Sequence, residues 1–133
     1  MTEPVSVQVV DELITRYLPQ VVDVRRKIHS NPELGFEEKE TSGLIKGILK
    51  DIGLEVRDDS DSMGVVGVLH GYSSQSAIGL RAELDALPIH EETGLVFQSE
   101  NSGIMHACGH DGHMAILIGA ALVLSSLKQT LAG

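Results

Sequence analysis

Three of the six histidines and the only cysteine of this 133-residue chain fall between His106 and His113. The run reads Met105-His106-Ala107-Cys108-Gly109-His110-Asp111-Gly112-His113. In an extended segment, residues two apart point to the same side. Cys108 and His110 can therefore face one point while Ala107 and Gly109 face away. A thiolate and an imidazole are both good ligands for zinc and related divalent ions, and Gly109 lets the backbone pass close by. The chemistry suggested is divalent-metal binding. Two other readings stand beside it: a single cysteine often serves as buried apolar filler, and histidines often sit at the surface or cap helices. Two ligands also fall short of the three or four that a zinc site uses.

The elements that must position this run are partly legible. Apolar residues recur at helical spacing over 5–30 (Val9, Leu13, Ile14, Tyr17, Val21, Val24, Ile28), which predicts an amphipathic helix bent at Pro19. Asn31-Pro32 breaks it. A second helix is expected over 36–52, with Glu37, Glu38 and Glu40 suiting the positive end of its dipole and Gly53 ending it. Short β-type runs follow at 54–57, 64–70 and 77–83. The polar stretch 71–76 suggests a hairpin joining the last two. Residues 88–105 show little period and read as a loop, of a length that is usually functional or disordered. Asp111 or Gly112 should open a final helix reaching Leu127. It is apolar on every side over 114–124 and so is expected to be buried all round. This order of elements points to a layered α/β domain.

Composition removes several function classes. Nineteen acidic residues against ten basic give a net charge of -9, which argues against nucleic acid, since phosphate binding needs clustered Lys and Arg. With no Trp, two Tyr and two Phe, a base-stacking surface is not expected. The apolar run 114–124 is far short of the roughly 20 residues that cross a bilayer. The start lacks a basic region followed by an apolar one, so the expected location is the cytoplasm. One cysteine permits no intrachain disulfide framework.

Two more motifs accompany the cysteine–histidine run. They are Arg25-Arg26-Lys27-Ile28-His29-Ser30-Asn31-Pro32-Glu33-Leu34-Gly35-Phe36 and Leu80-Arg81-Ala82-Glu83-Leu84-Asp85-Ala86-Leu87-Pro88-Ile89. Together, in this order, the three resemble signatures of the M20 metallopeptidase superfamily. They are most similar to its amidohydrolase branch of hippurate hydrolases, indole-acetyl amino-acid hydrolases and N-acetyl-diaminopimelate deacetylases. The resemblance spans about residues 25–124 and corresponds to the first third or so of a full-length member. It implies an α/β fold: residues 1–133 as the N-terminal part of a zinc-exopeptidase-like catalytic domain, helices packed on a mixed sheet, without the lid or dimerisation domain. It implies metal-dependent hydrolysis of the amide bond of N-acyl amino acids, small-molecule substrates, by two divalent ions (zinc, manganese, nickel or cobalt). Cys108 and His110 are the implied metal ligands. Asp85 matches an aspartate near the metals that orients a ligand and belongs to the catalytic set. Glu83 stands where other branches carry a ligand histidine, and Asp111 is expected to cap the final helix while facing the metal. His106 and His113 receive no role.

The resemblance also implies that a catalytic Glu-Glu pair and further ligands lie downstream of residue 133, so that this chain alone is expected to be inactive. Glu91-Glu92 precedes the metal motif in a predicted loop and is a poor substitute for that pair. The non-catalytic alternative is a truncated fragment or partner-docking module, self-associating through the apolar final helix. A cysteine hydrolase using Cys108 with His106 or His110 is a third, weaker reading. Arg25, Arg26 and Lys27 read as a solvated helix face. Residues 29–36 read as a helix-breaking turn with Phe36 packed in the core.

Overall fold

The fold begins with a capped helix. Ser6 sits in an extended conformation and its hydroxyl accepts the Val9 N–H at 3.3 Å, which starts α1 (Val7–Ser30). This computed structural model describes residues 4–58, 62–73 and 76–133. The helix α1 runs through Pro19 without interruption and ends where Asn31 precedes the buried Pro32. A second helix, α2 (Lys39–Asp51), closes on a Schellman turn: the Gly53 N–H bonds the Lys50 carbonyl and Leu54 bonds Leu49. Gly53 takes φ +85°, the left-handed region that glycine enters without a side-chain clash.

The strands β1 (Glu55–Asp58) and β2 (Val65–Val68) pair antiparallel, with Glu55 opposite Val68 and Asp58 opposite Val65. The last long helix, α3 (His110–Ser126), is followed by a short 3-10 turn, Lys128–Thr130. The core lies where α1, α2 and α3 meet: Ile28, Ile45, Met114, Ile118 and Leu122 form one buried cluster. Gly119 permits close packing of α3 on α1, since a Cβ there would stand 3.1 Å from a Val21 methyl. Tyr17 and Ser126 share a hydrogen bond of 2.8 Å across the same interface. Among the described residues, no helix is long and apolar enough to cross a membrane.

Four expectations are corrected. The 64–70 run pairs with 55–58, not with 77–83, and residues 77–83 form no strand. The reason is visible at Gly71 and Tyr72, whose N–H groups bond the carbonyls of Gly133 and Leu131 at 2.8 Å each and lead the chain away from β2. Of the turn expected at 71–76, positions 74–75 lie outside the described residues. The second helix starts at Lys39, three residues after the expected Phe36. Phe36 itself is 93% exposed with φ 70°, so it packs in no core. Its left-handed backbone ends the turn in which Glu37 bonds Leu34, and the helix can form only beyond that turn. Finally, α3 is buried along one side only, and Ile116 on its outer side is 70% exposed.

The start of α2 lacks a side-chain cap from its own Glu38. Glu33 supplies one from outside, accepting the N–H of Glu40 at 3.1 Å and both the N–H and the hydroxyl of Thr41 at 2.7 Å. Burial would raise the Glu33 pKa, but these bonds outweigh it and hold the carboxyl below its ordinary value. A pKa lowered by folding means the stabilisation is whole above the unfolded value of about 4.3 and is lost as pH falls through the folded value. Glu33→Gln should therefore destabilise the protein by about 1–2 kcal/mol at pH 7. In denaturant titrations the gap between the two proteins should narrow as pH drops below about 4. A gap that holds constant with pH would remove the carboxylate from this role.

Candidate metal centre

Residues 85–87 are held from both sides. Ala86 donates its N–H to the Glu33 carbonyl at 2.8 Å, and Leu87 exchanges two hydrogen bonds with Met105, at 2.9 and 3.0 Å. The Leu34–Ala86 bridge is parallel and the Leu87–Met105 bridge antiparallel. These rungs set Asp85 beside the turn that leads into α3. Gly35 passes on the other side, where a Cβ would lie 3.8 Å from that of Asp85.

His110 opens α3 against Asp85. Its Nδ1 lies 3.0 Å from the Asp85 carbonyl oxygen and 3.1 Å from Asp85 Oδ1. Both oxygens are acceptors, so Nδ1 carries the hydrogen and Nε2 keeps a lone pair. Cys108 is exposed, which excludes the buried-filler reading, and its Sγ lies 4.0 Å from the same carbonyl oxygen. The two residues singled out by spacing thus approach one atom of Asp85.

The structure gathers Glu83 and His113 around His110, in a set that does not include Cys108. One ligand atom from each of Glu83, His110 and His113 lies within 4.8 Å of the other two. His110 and His113 are three apart on a helix and so share a face; their ring centroids are 5.5 Å apart. His113 Nδ1 donates to Glu83 Oε2 at 3.1 Å, and Arg81 donates to Oε1 at 3.0 Å. The His113 hydrogen bond is the main reason the Glu83 carboxyl sits below its ordinary pKa; its own backbone N–H and the charge of Arg81 help, against the opposing effect of burial. Two imidazoles and a carboxylate, with a thiol close by, fit a divalent ion of the zinc, manganese, nickel or cobalt kind.

Behind this face, the expected roles change. Asp111 does not cap α3. The cap position is Gly109, at φ 87° and without a side chain, and Asp111 turns inward from the first helical turn to complete burial (0% exposed). Its Oδ2 accepts from Arg25 Nε at 2.9 Å and from His29 Nδ1 at 2.8 Å. His29 Nε2 meets Glu91 Oε1 at 3.1 Å, and Glu91 Oε2 accepts the Ser99 N–H at 2.6 Å. Burial pushes both carboxyls up, but these donors outweigh it and both sit below their ordinary values. Arg25 and Arg26 stack over Phe97, 5.6 and 5.2 Å from its centroid, so the basic run is a clamp on the loop and only Lys27 is a plain solvated residue. His29, expected in a turn, is a buried helical residue. His106 is also buried, with no protein partner on either ring nitrogen. Burial is the largest influence on its ring and lowers its pKa; Asp111 and Asp85 oppose this, while His29 and His110 reinforce it.

Every member of the exposed cluster lies within residues 79–133, and this stretch matches the family model of Peptidase family M20/M25/M40. In that stretch the chain is similar to that family. It is 47% identical over 114 residues to N-acetyl-L-cysteine deacetylase of Bacillus subtilis (strain 168), covering 86% of this chain and 27% of that protein. It is 46% identical over 116 residues to hippurate hydrolase of Campylobacter jejuni, covering 82% and 30%. A solved structure of the Bacillus subtilis YXEP protein, described as a dinuclear metal binding peptidase from the M20 family, superposes with a TM-score of 0.82 at 38% identity. That match covers 92% of this chain and 34% of the other. The chain thus spans about a third or less of the length of these relatives.

Metal titration checks the centre directly. By calorimetry, His110→Ala should abolish measurable Zn(II) or Co(II) binding. Asp85→Ala should weaken it by about tenfold, the low end for a residue behind a ligand, because the Asp85 backbone carbonyl still holds Nδ1. Equal affinities for the parent and both variants would exclude His110 as a ligand.

Proposed function

We propose that this chain supplies part of the metal site of a hydrolase cleaving the amide bond of N-acyl amino acids. Cys108 and His110 serve as metal ligands and Asp85 as the residue that orients His110. The observation that carries the reading is the His110–Asp85 contact: a carboxylate and a carbonyl hold the proton on Nδ1, so Nε2 is left as the ligating nitrogen in a fixed tautomer. Cys108 adds a soft donor from two positions earlier, and exposure leaves its sulfur accessible to an ion.

A pair of divalent ions bound there would acidify a water molecule and polarise the amide carbonyl. The protein's own residues do the rest of what this chain contributes. Asp85 keeps the imidazole in one tautomer and one orientation. Glu83, drawn between Arg81 and His113, keeps a negative charge at the rim and fixes the His113 ring beside His110. The names of the relatives support the substrate class: one deacetylates N-acetyl-L-cysteine and the other hydrolyses hippurate, both small N-acyl amino acids. Zinc, manganese, nickel and cobalt all suit the donors.

The reading is tested with a chimera. Residues 1–133 replace the matching part of the Bacillus subtilis N-acetyl-L-cysteine deacetylase, and release of free amine from N-acetyl and N-benzoyl amino acids is followed. The expected result is turnover that a chelator removes and added Mn(II), Zn(II), Co(II) or Ni(II) restores, with a loss of at least about a hundredfold in Cys108→Ser, since a first ligand should matter at least as much as the residues behind it. The 133-residue chain by itself should show none. Undiminished turnover in the Cys108→Ser chimera would sink the assignment of that ligand.

A further inference from the structure

We infer that His29 is a positioning residue for the metal centre: by bridging Asp111 and Glu91 through its two ring nitrogens, it sets the rotation of the first turn of α3 and so the direction of His110 and His113. The inference rests on the reading of His110 as a ligand.

The geometry gives His29 two acceptors. Its Nδ1 is 2.8 Å from Asp111 Oδ2 and its Nε2 is 3.1 Å from Glu91 Oε1. Each ring nitrogen thus has a carboxylate oxygen within hydrogen-bond distance. The row runs from the partly exposed Arg25 guanidinium through the buried Asp111 and His29 to Glu91. It joins three segments distant in sequence: α1, the start of α3 and the loop at 91–99. Phe97 closes it, edge-on to His29 with centroids 5.6 Å apart.

Rotation links the row to the site. A helix turns about 100° per residue, so a pinned Asp111 leaves His110 about 100° behind it, and His113 about 60° further round. Both therefore point away from the buried side, onto the face shared with Glu83 and Asp85. The Gly109 cap has no side chain and cannot set this angle. Asp111 can, and His29 is one of the two groups that hold it.

The test uses the full chain and reads His110 without metal first. In ¹H–¹⁵N spectra of the metal-free protein, the His110 Nδ1–H bonded to Asp85 is assigned by its loss in His110→Ala. It should be present in the parent and in Ile45→Ala, a core truncation on α2 that removes no atom of the row, and lost or shifted in His29→Gln. Glu91→Ala, which cuts the row at its loop end, should act in the same direction and covers the case in which His29→Gln does not fold. Co(II) affinity should fall by about tenfold or more in both row variants and stay within about twofold of the parent in Ile45→Ala. An unchanged His110 signal in a folded row variant overturns the inference, as does an equal loss in Ile45→Ala. If the parent binds no Co(II) while its His110 signal still depends on His29, the positioning role stands and the metal reading falls.

Discussion

The backbone of residues 85–87 is the reference point of the site. It is tied to the turn after α1 through Glu33 and to the approach to α3 through Met105, by single rungs and not by a sheet. A rung of this kind contributes only about 0.5–1.5 kcal/mol, so its rigidity must come from redundancy. Ala86 is buried, and the loop beyond it is fastened again where Glu100 bonds the Ser30 carbonyl and Asn101 bonds that of Pro32, each at 2.8 Å. Irregular backbone carries the cluster because so many short ties agree on where it lies.

Charge in this acidic chain divides into two kinds. Among the described residues, most acidic side chains lie at or near the surface. Asp111 and Glu91 are withdrawn from water and met within 3.1 Å by nitrogens of Arg25 and His29. Pairing of this sort adds little net stability over an apolar core, yet removing one partner is typically expensive, about 3–5 kcal/mol. Geometric specificity is the natural return on such a row. It is joined to the group of Glu83, His110 and His113 through the first turn of α3, where Asp111 follows His110.

What was legible in the residues is what is local. Cys108 and His110 announce themselves by type and by a spacing of two; the apolar run marked α3, and Gly53 marked the end of α2 to within a residue. What escaped depends on partners far along the chain. His29 lies 82 residues from Asp111 and 62 from Glu91, so nothing near it signalled burial in a charged row. Glu91 looked like half of a loop pair, and its burial had no local sign. Glu83 and His113 could have been linked by one clue, that His113 stands one helical turn after His110 and shares its face. Phe36 misled through its side chain, because apolar character outweighed the Gly35 beside it, a hint of a turn. Residues 77–83 have the composition of a strand, but composition does not name a partner.

Cys108 is both the only thiol and an exposed one. With no second cysteine in the chain, oxidation can join it only to another molecule, through a mixed disulfide, or carry it alone up through sulfenic acid to irreversible states. Either outcome consumes the soft donor while leaving the imidazoles and carboxylates untouched. The same solvent access that would admit an ion therefore opens a single sulfur atom of the proposed site to oxidants.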